Sequence, residues 1–357
     1  LKYPNPIAHL LLKYSNITKI PVSLRMQTTQ IVLASRPAGI PNAETFRTET
    51  IELPGPQEGE LLLEPLYYSV DPYMRGRMND AKSYAPPFPV NAPIEGRVVA
   101  KVIESHDNDF AAGDTVLGTL PWRTATVAAA KTVRKIDASA IPATYWLGVL
   151  GMPGLTAYFG LVDIGKPKAG ETLVVSGAAG AVGIIVGQIG KIFGCRVIGI
   201  AGSNEKVGAL KEQFGFDDAI NYKTTPDIKR AIEELCPNGV DIYFDNVGGP
   251  ISDAVIANIN FHARIPLCGQ ISQYNRTEDE LGPRLQPTLL TRSVLLQGFI
   301  ISNYASRFAE GLQHLTNWVK EGKLKTTETF INGFDQLPAA LLGLFTGENT
   351  GKMIVKA

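Results

Sequence analysis

Thr172-Leu173-Val174-Val175-Ser176-Gly177-Ala178-Ala179-Gly180-Ala181-Val182-Gly183 is the stretch whose reading decides the fold of this chain. Thr172 to Ser176 is an apolar run of strand length, and residues 181–193 continue as an apolar helix. Glycines between them permit a tight turn and let the backbone approach a pyrophosphate. The helix start then offers free N–H groups and the positive end of its dipole to the anion. The spacing is G-x-x-G-x-x-G rather than the standard G-x-G-x-x-G, so close helix–sheet packing without a ligand is the competing reading. The flanking strand and helix favour the cofactor. The span 172–190 carries no charge, but its glycines at 177, 180, 183, 187 and 190 match a strand, turn and helix better than a membrane span.

Beyond this stretch, apolar runs alternate with amphipathic ones. Arg196–Ala201 reads as a second strand, and Asn204–Phe214 as a helix with Ser203 as N-cap and Gly215 as stop. Asp241–Asp245 and Arg264–Cys268 read as further strands, so this region is a set of βαβ units on a parallel sheet. Before it, residues 27–145 hold many short strands, among them 30–34, 60–66 and 96–104, punctuated by turns such as Pro54-Gly55-Pro56. That pattern suggests a compact, barrel-like domain. The tail Gly351–Ala357 is a strand expected to return to the first domain and pair there.

A length of 357 residues fits two domains. With 45% hydrophobic and 19% charged residues the class is globular. Lys+Arg and Asp+Glu are both 34, and this balance argues against a nucleic-acid binder. Cys195, Cys236 and Cys268 fit no metal spacing, and their odd number argues against a disulfide framework, so a reducing cytoplasm is the simplest home. Residues 1–25 hold Lys2, Lys13, Lys19 and Arg25 without an acid, and Met26 then reads like a protein start. They are read as a leader or upstream extension, with a genuine flexible arm as the alternative.

A nicotinamide enzyme using NAD usually carries Asp or Glu after its second strand, to bond the adenosine ribose. Here that strand runs into Gly202-Ser203-Asn204-Glu205-Lys206, and the acid at the strand end is missing. Ser203 and Lys206 suit a ribose phosphate instead, with Glu205 pointing away. A solvated lysine in a first helical turn is the plainer reading of Lys206.

Several motifs occur together in order. They are Val70-Asp71-Pro72-Tyr73-Met74-Arg75, Gly151-Met152-Pro153-Gly154-Leu155-Thr156-Ala157-Tyr158 and the glycine run, then Tyr243-Phe244-Asp245-Asn246-Val247-Gly248-Gly249 and Cys268-Gly269-Gln270-Ile271-Ser272-Gln273-Tyr274-Asn275. With them and its tail, the chain resembles the medium-chain dehydrogenase/reductase superfamily from about 27 to 357. Within it, the chain is similar to the zinc-free group of prostaglandin reductases, leukotriene hydroxydehydrogenases and alkenal double-bond reductases. The resemblance implies an α/β fold with a GroES-like β-barrel catalytic domain (26–150), a doubly wound Rossmann domain (151–305) and a return to the catalytic domain (306–357). It implies NADPH, with Gly180, Ala181, Val182 and Gly183 at the pyrophosphate and Ser203, Lys206 and Tyr222 at the adenosine phosphate. Asn246, Cys268, Ile271, Ser272 and Tyr274 would line the cofactor. Phe299 and Ile301 would lie beside the nicotinamide, and Asn349 would reach the cofactor from the tail. A homodimer is implied by resemblance alone.

Zinc needs clustered Cys and His ligands. Residues 26–150 contain no cysteine and one histidine, His106, so no metal site is expected. The expected reaction is hydride transfer from NADPH to the β-carbon of an enal or enone, with negative charge appearing on the carbonyl oxygen. Tyr274 is the first candidate to stabilise that oxygen, because its loop follows the strand ending at Cys268. Tyr73 is the second, read either as a cleft residue or as part of a packed turn. Segments 75–90 and 276–292 are expected to shape the substrate pocket. The alternatives are an NADPH quinone reductase and a non-catalytic nucleotide-binding scaffold.

Overall fold

Residues 26–357 are described by the computed structural model, and the leader read at 1–25 lies outside them. The first region is strand-rich: β1 (Met26–Leu33), β2 (Phe46–Leu53), β3 (Glu60–Ser69), the short helix α1 (Tyr73–Arg77), β4 (Glu95–Ser105), β5 (Thr115–Pro121), β6 (Thr126–Ala129) and β7 (Val133–Lys135). α2 (Met152–Phe159) leads into the alternating region of β8 (Thr172–Ser176), α3 (Gly183–Ile192), β9 (Arg196–Ala201), α4 (Asn204–Glu212), β10 (Asp218–Asn221) and α5 (Ile228–Leu235). It continues with β11 (Val240–Phe244), α6 (Gly249–Ile256), β12 (Ile259–Leu267), α7 (Gln286–Thr291) and β13 (Leu295–Gly298). The tail holds α8 (Phe308–Lys320), β14 (Glu328–Asn332), α9 (Leu337–Thr346) and β15 (Lys352–Lys356).

Six strands form a parallel sheet in the order β10-β9-β8-β11-β12-β13. β8 and β11 are neighbours there, and the chain winds outward from them in opposite directions. The crevice at their carboxyl ends is the topological switch point, where doubly wound sheets bind ligands. Strand β8 is buried along its whole length, as a strand covered on both faces must be. A separate mixed sheet runs β14-β15-β3-β4-β5-β7, with β6 also on β3. The tail strand β15 lies antiparallel to β3, with Ile354 opposite Ser69, and parallel to β14. Together they make a mixed α/β fold with a Rossmann-type sheet and a second sheet.

Each half has its own apolar core. Val175, Ile189 and Phe244 belong to one buried cluster, and Leu63, Trp122 and Val355 to another. Leu315 of α8 and Leu324 sit in the same cluster as Leu155, Phe159 and Val175, so the apolar side of α8 packs with the nucleotide half.

Candidate active site

The glycine run forms a tight turn between β8 and α3. Gly177 takes a left-handed φ of +59°, and the Gly180 N–H donates to the Gly177 carbonyl at 3.0 Å. Gly183 tolerates nothing larger: a Cβ there would lie 2.4 Å from the Gly177 carbonyl oxygen and 2.7 Å from Ala178 Cα. The helix therefore starts close against the turn: the Ile184 N–H already donates to the Gly180 carbonyl at 3.1 Å and the Val186 N–H to that of Val182 at 3.0 Å, so the backbone that can approach an anion is the tip of the turn ahead of Ile184. This cradle fits a dinucleotide pyrophosphate.

Across the crevice, Asn246 donates through Nδ2 to the Ser176 carbonyl at 2.8 Å and through its backbone N–H to Ser176 Oγ at 3.0 Å. Asp245 anchors this corner. Its buried carboxylate accepts from the hydroxyls of Ser176, Tyr243 and Ser252 and from the backbone N–H groups of Val247 and Gly248, at 2.8–3.1 Å. The Asp245 carbonyl also accepts from the N–H groups of Cys268 and Gly269. Burial, with Asp245 nearby, pushes the Cys268 thiol up to about 12. Ser272 is tied back by its hydroxyl to the Val247 carbonyl at 2.6 Å, and the Ile271 N–H donates to the Asn246 carbonyl at 3.3 Å. Asn246, Cys268, Ile271 and Ser272 are thus brought to one crevice. Asp245 organises it, and its role was invisible in the sequence because its donors come from several elements.

At the end of β9, Ser203 caps α4 by accepting from the Lys206 N–H at 3.3 Å. Tyr222 lies against Gly202, where an added Cβ would sit 3.1 Å from its ring. Lys206 Nζ donates to the Gly347 carbonyl at 2.6 Å. Burial lowers the pKa of Lys206, and the nearby charge of Lys223 lowers it further. Two lysines, a serine and a tyrosine are therefore gathered at the carboxyl end of β9. Lys223 was missed because nothing local marks a loop lysine after β10.

The tail joins the same site. The Gly351 N–H donates to the Ala179 carbonyl at 2.8 Å, and Asn349 Nδ2 donates to the Gly351 carbonyl at 2.7 Å. The Phe299 ring is buried edge-on against Phe244, with centroids 6.4 Å apart, and packs beside Tyr304. Its side chain therefore faces the core. Ile301 is half-buried against the same core.

Beyond the carboxyl end of β12 lies a cavity of about 140 Å³ lined by Tyr73, Arg77, Tyr84, Pro87 and Tyr274, among others. Tyr73 therefore faces the cleft. Its phenol is pushed up by burial and by the Asp71 carboxylate. Tyr274 accepts from the Gln270 N–H at 3.3 Å, and burial raises its pKa. Both hydroxyls stay protonated at neutral pH and can donate. Tyr84 was not singled out, since its segment shows no periodic pattern. Arg77 stacks over Phe88 at 4.0 Å and donates to the Pro86 carbonyl, which holds the cavity's outer wall.

Comparison with known proteins gives this geometry its setting. Residues 29–136 match the model of the N-terminal domain of oxidoreductase, and residues 181–317 match the zinc-binding dehydrogenase model. The NADPH-dependent curcumin reductase of Escherichia coli is 44% identical over 91% of this chain and 95% of its own length. The chain belongs to the zinc-free group of the medium-chain dehydrogenase/reductase superfamily. The 2-alkenal reductase (NADP(+)-dependent) of Nicotiana tabacum is 41% identical over 91% of this chain and 96% of its own. The crystal structure of CurA from Vibrio vulnificus in complex with NADPH superposes with a TM-score of 0.88 and 46% identity, covering 92% of this chain and 99% of that one. The protein is an NADP-dependent oxidoreductase, a reductase of the alkenal, curcumin and prostaglandin reductase type that uses NADPH on a small-molecule substrate. The zinc in the second model's description does not carry over to ligands. The one histidine of residues 26–150, His106, is exposed and lies 2.7 Å from Glu104. Among the described residues no helix is long and apolar enough to cross a membrane.

Proposed function

We propose that this reductase saturates the carbon–carbon double bond of α,β-unsaturated aldehydes and ketones. The observation that carries this reading is a cavity shared by Tyr73 from the first half and Tyr274 from the second, beside the switch-point crevice. NADPH, when bound, supplies the hydride that goes to the β-carbon. The protein's task is to orient the enone and stabilise the oxygen that gains negative charge. Tyr274 holds its hydroxyl protonated in a buried setting and donates to that oxygen; Tyr73 orients the substrate from the opposite wall. The alkenal and curcumin reductases among the relatives support the substrate class. The same reading assigns Gly180–Gly183 to the pyrophosphate, Ser203, Lys206 and Tyr222 to the adenosine phosphate, and Asn246, Cys268, Ile271, Ser272, Ile301 and Asn349 to the rest of the cofactor.

Tyr274→Phe is expected to lower turnover on an enone by about tenfold or more, within the range of positioned acids. NADPH oxidation measured with and without an enal or enone checks this, and an unchanged rate removes Tyr274 from the reaction. Domain boundaries near 150 and after 324 follow the two cores. The three unpaired thiols support a reducing, cytoplasmic setting. A homodimer is supported by the open edge strand β13, with Phe261, Leu290 and Leu295 exposed beside it. Sedimentation velocity tests it, and a monomer counts against it.

A further inference from the structure

Two sequence motifs each place one residue in the proposed reaction, Tyr73 and Tyr274. Their neighbours Arg75 and Asn275 meet in space, although 200 positions apart. Arg75 is 2% exposed, and its Nε donates to Asn275 Oδ1 at 2.9 Å. The rest of the guanidinium is committed within the first half. Nη1 donates to Asn79 Oδ1 at 2.6 Å, and Nη2 to the carbonyls of Gly39 at 2.7 Å and Pro37 at 3.3 Å. Nε also lies 3.2 Å from the Gly39 carbonyl.

This pattern argues against an anion-binding role, because four of the five N–H donors already face neutral protein acceptors. It also makes the group rigid. A planar fork held by Asn79, Gly39 and Pro37 cannot swivel about its long axis. Its bond to Asn275 therefore fixes the position of the 271–275 loop relative to α1. Tyr274 precedes Asn275 directly in that loop, and Tyr73 opens α1. Arg75 is the shared reference point for two hydroxyls that belong to different halves of the molecule.

We propose that Arg75 is a positioning residue: through Asn275 it sets Tyr274 opposite Tyr73 and so fixes the geometry of the substrate cavity. The proposal rests on Tyr274 being the donor to the substrate oxygen. A displacement near 1 Å at such a donor costs up to about a hundredfold in rate, so the bond matters even though it touches no substrate.

The test uses the full-length enzyme with Asn275→Ala and Asn275→Asp. The alanine removes the bond between the halves and leaves Arg75's other acceptors in place; the aspartate keeps an acceptor for Nε. Asn275→Ala is expected to lower kcat on an enone by about ten- to a hundredfold, with the KM for NADPH unchanged within about twofold. Asn275→Asp is expected to recover most of that loss. In a Tyr274→Phe background, Asn275→Ala is expected to cost less than about twofold, because both changes act through one hydroxyl. An equal loss in both backgrounds, no loss in the native background, or no recovery by Asn275→Asp overturns the proposal. If no enone supports NADPH oxidation by the native enzyme, the substrate reading itself fails and the clamp is read by amide hydrogen exchange. Faster exchange across 271–276 in Asn275→Ala then supports it, and identical exchange overturns it.

Discussion

Asp245 and Asp71 are both buried carboxylates, one in each half of the molecule, and they are accommodated in opposite ways. Asp245 accepts five hydrogen bonds, all from neutral donors between Ser176 and Ser252, within one parallel sheet and its loops. Asp71 is held by a cation from the far end of the chain. Lys352, 3% exposed, places Nζ 3.1 Å from Asp71 Oδ1 and also donates to the carbonyls of Val70 and Met353. The Ser69 hydroxyl takes the other carboxylate oxygen. The nucleotide half thus stabilises its buried charge with local dipoles. The substrate half depends on β15 arriving in register beside β3.

The comparison can be broken most sharply at Lys352. Lys352→Met leaves Asp71 buried without a cation and is expected to cost about 3–5 kcal/mol in denaturant unfolding. Adding Asp71→Asn should return part of this, since the uncompensated charge is then gone. A loss under about 1 kcal/mol would mean that Asp71 finds water or another partner and that the contrast is false.

On the nucleotide side the largest effect is expected from backbone geometry. Gly183→Ala forces a methyl against the Gly177 carbonyl and Ala178, and is expected to weaken NADPH by about a hundredfold, the equivalent of some 2.7 kcal/mol of overpacking strain. Fluorescence titration reads this, and unchanged affinity would show that the turn yields. Tyr243→Phe removes one of the five donors to Asp245 and is expected to cost about 2 kcal/mol in unfolding. That is less than the loss at Lys352, because four donors remain. A cost equal to that of Lys352→Met would erase the distinction between stabilisation by many neutral dipoles and stabilisation by one cation. The smallest effect sharpens the cofactor end. Lys206→Ala is expected to raise the Kd for NADPH about tenfold more than the Kd for NADH, as loss of one charge-assisted phosphate contact should. Equal losses would assign Lys206 to its bond with Gly347 alone.

Much of the nucleotide half was readable because its determinants are short-range. The five-residue strand, the turn glycines and the helix after them lie within about twenty positions and obey local rules of period and backbone freedom. Ser203 was readable as a cap for the same reason. The ring direction of Phe299 was not readable, because it depends on Phe244 and Tyr304, which enter from other elements. Tyr84 was passed over because a pocket wall in an irregular segment has no period to betray it. The packing of α8 was not readable either, because an amphipathic helix does not say which core its apolar face will join.

By itself the sequence determined a doubly wound nucleotide half after a strand-rich one, the position of the glycine turn, and the absence of zinc-ligand spacing in the first domain. These are statements about residue types a few positions apart, where sterics and hydrogen bonding act directly along the chain. Only the tertiary structure decided that Tyr73, Tyr84 and Tyr274 share one cavity, that Arg75 reaches Asn275, and that Lys352 neutralises Asp71. Those contacts join residues up to 281 positions apart. They depend on strand order and on how two separately formed cores dock, and no local pattern encodes either.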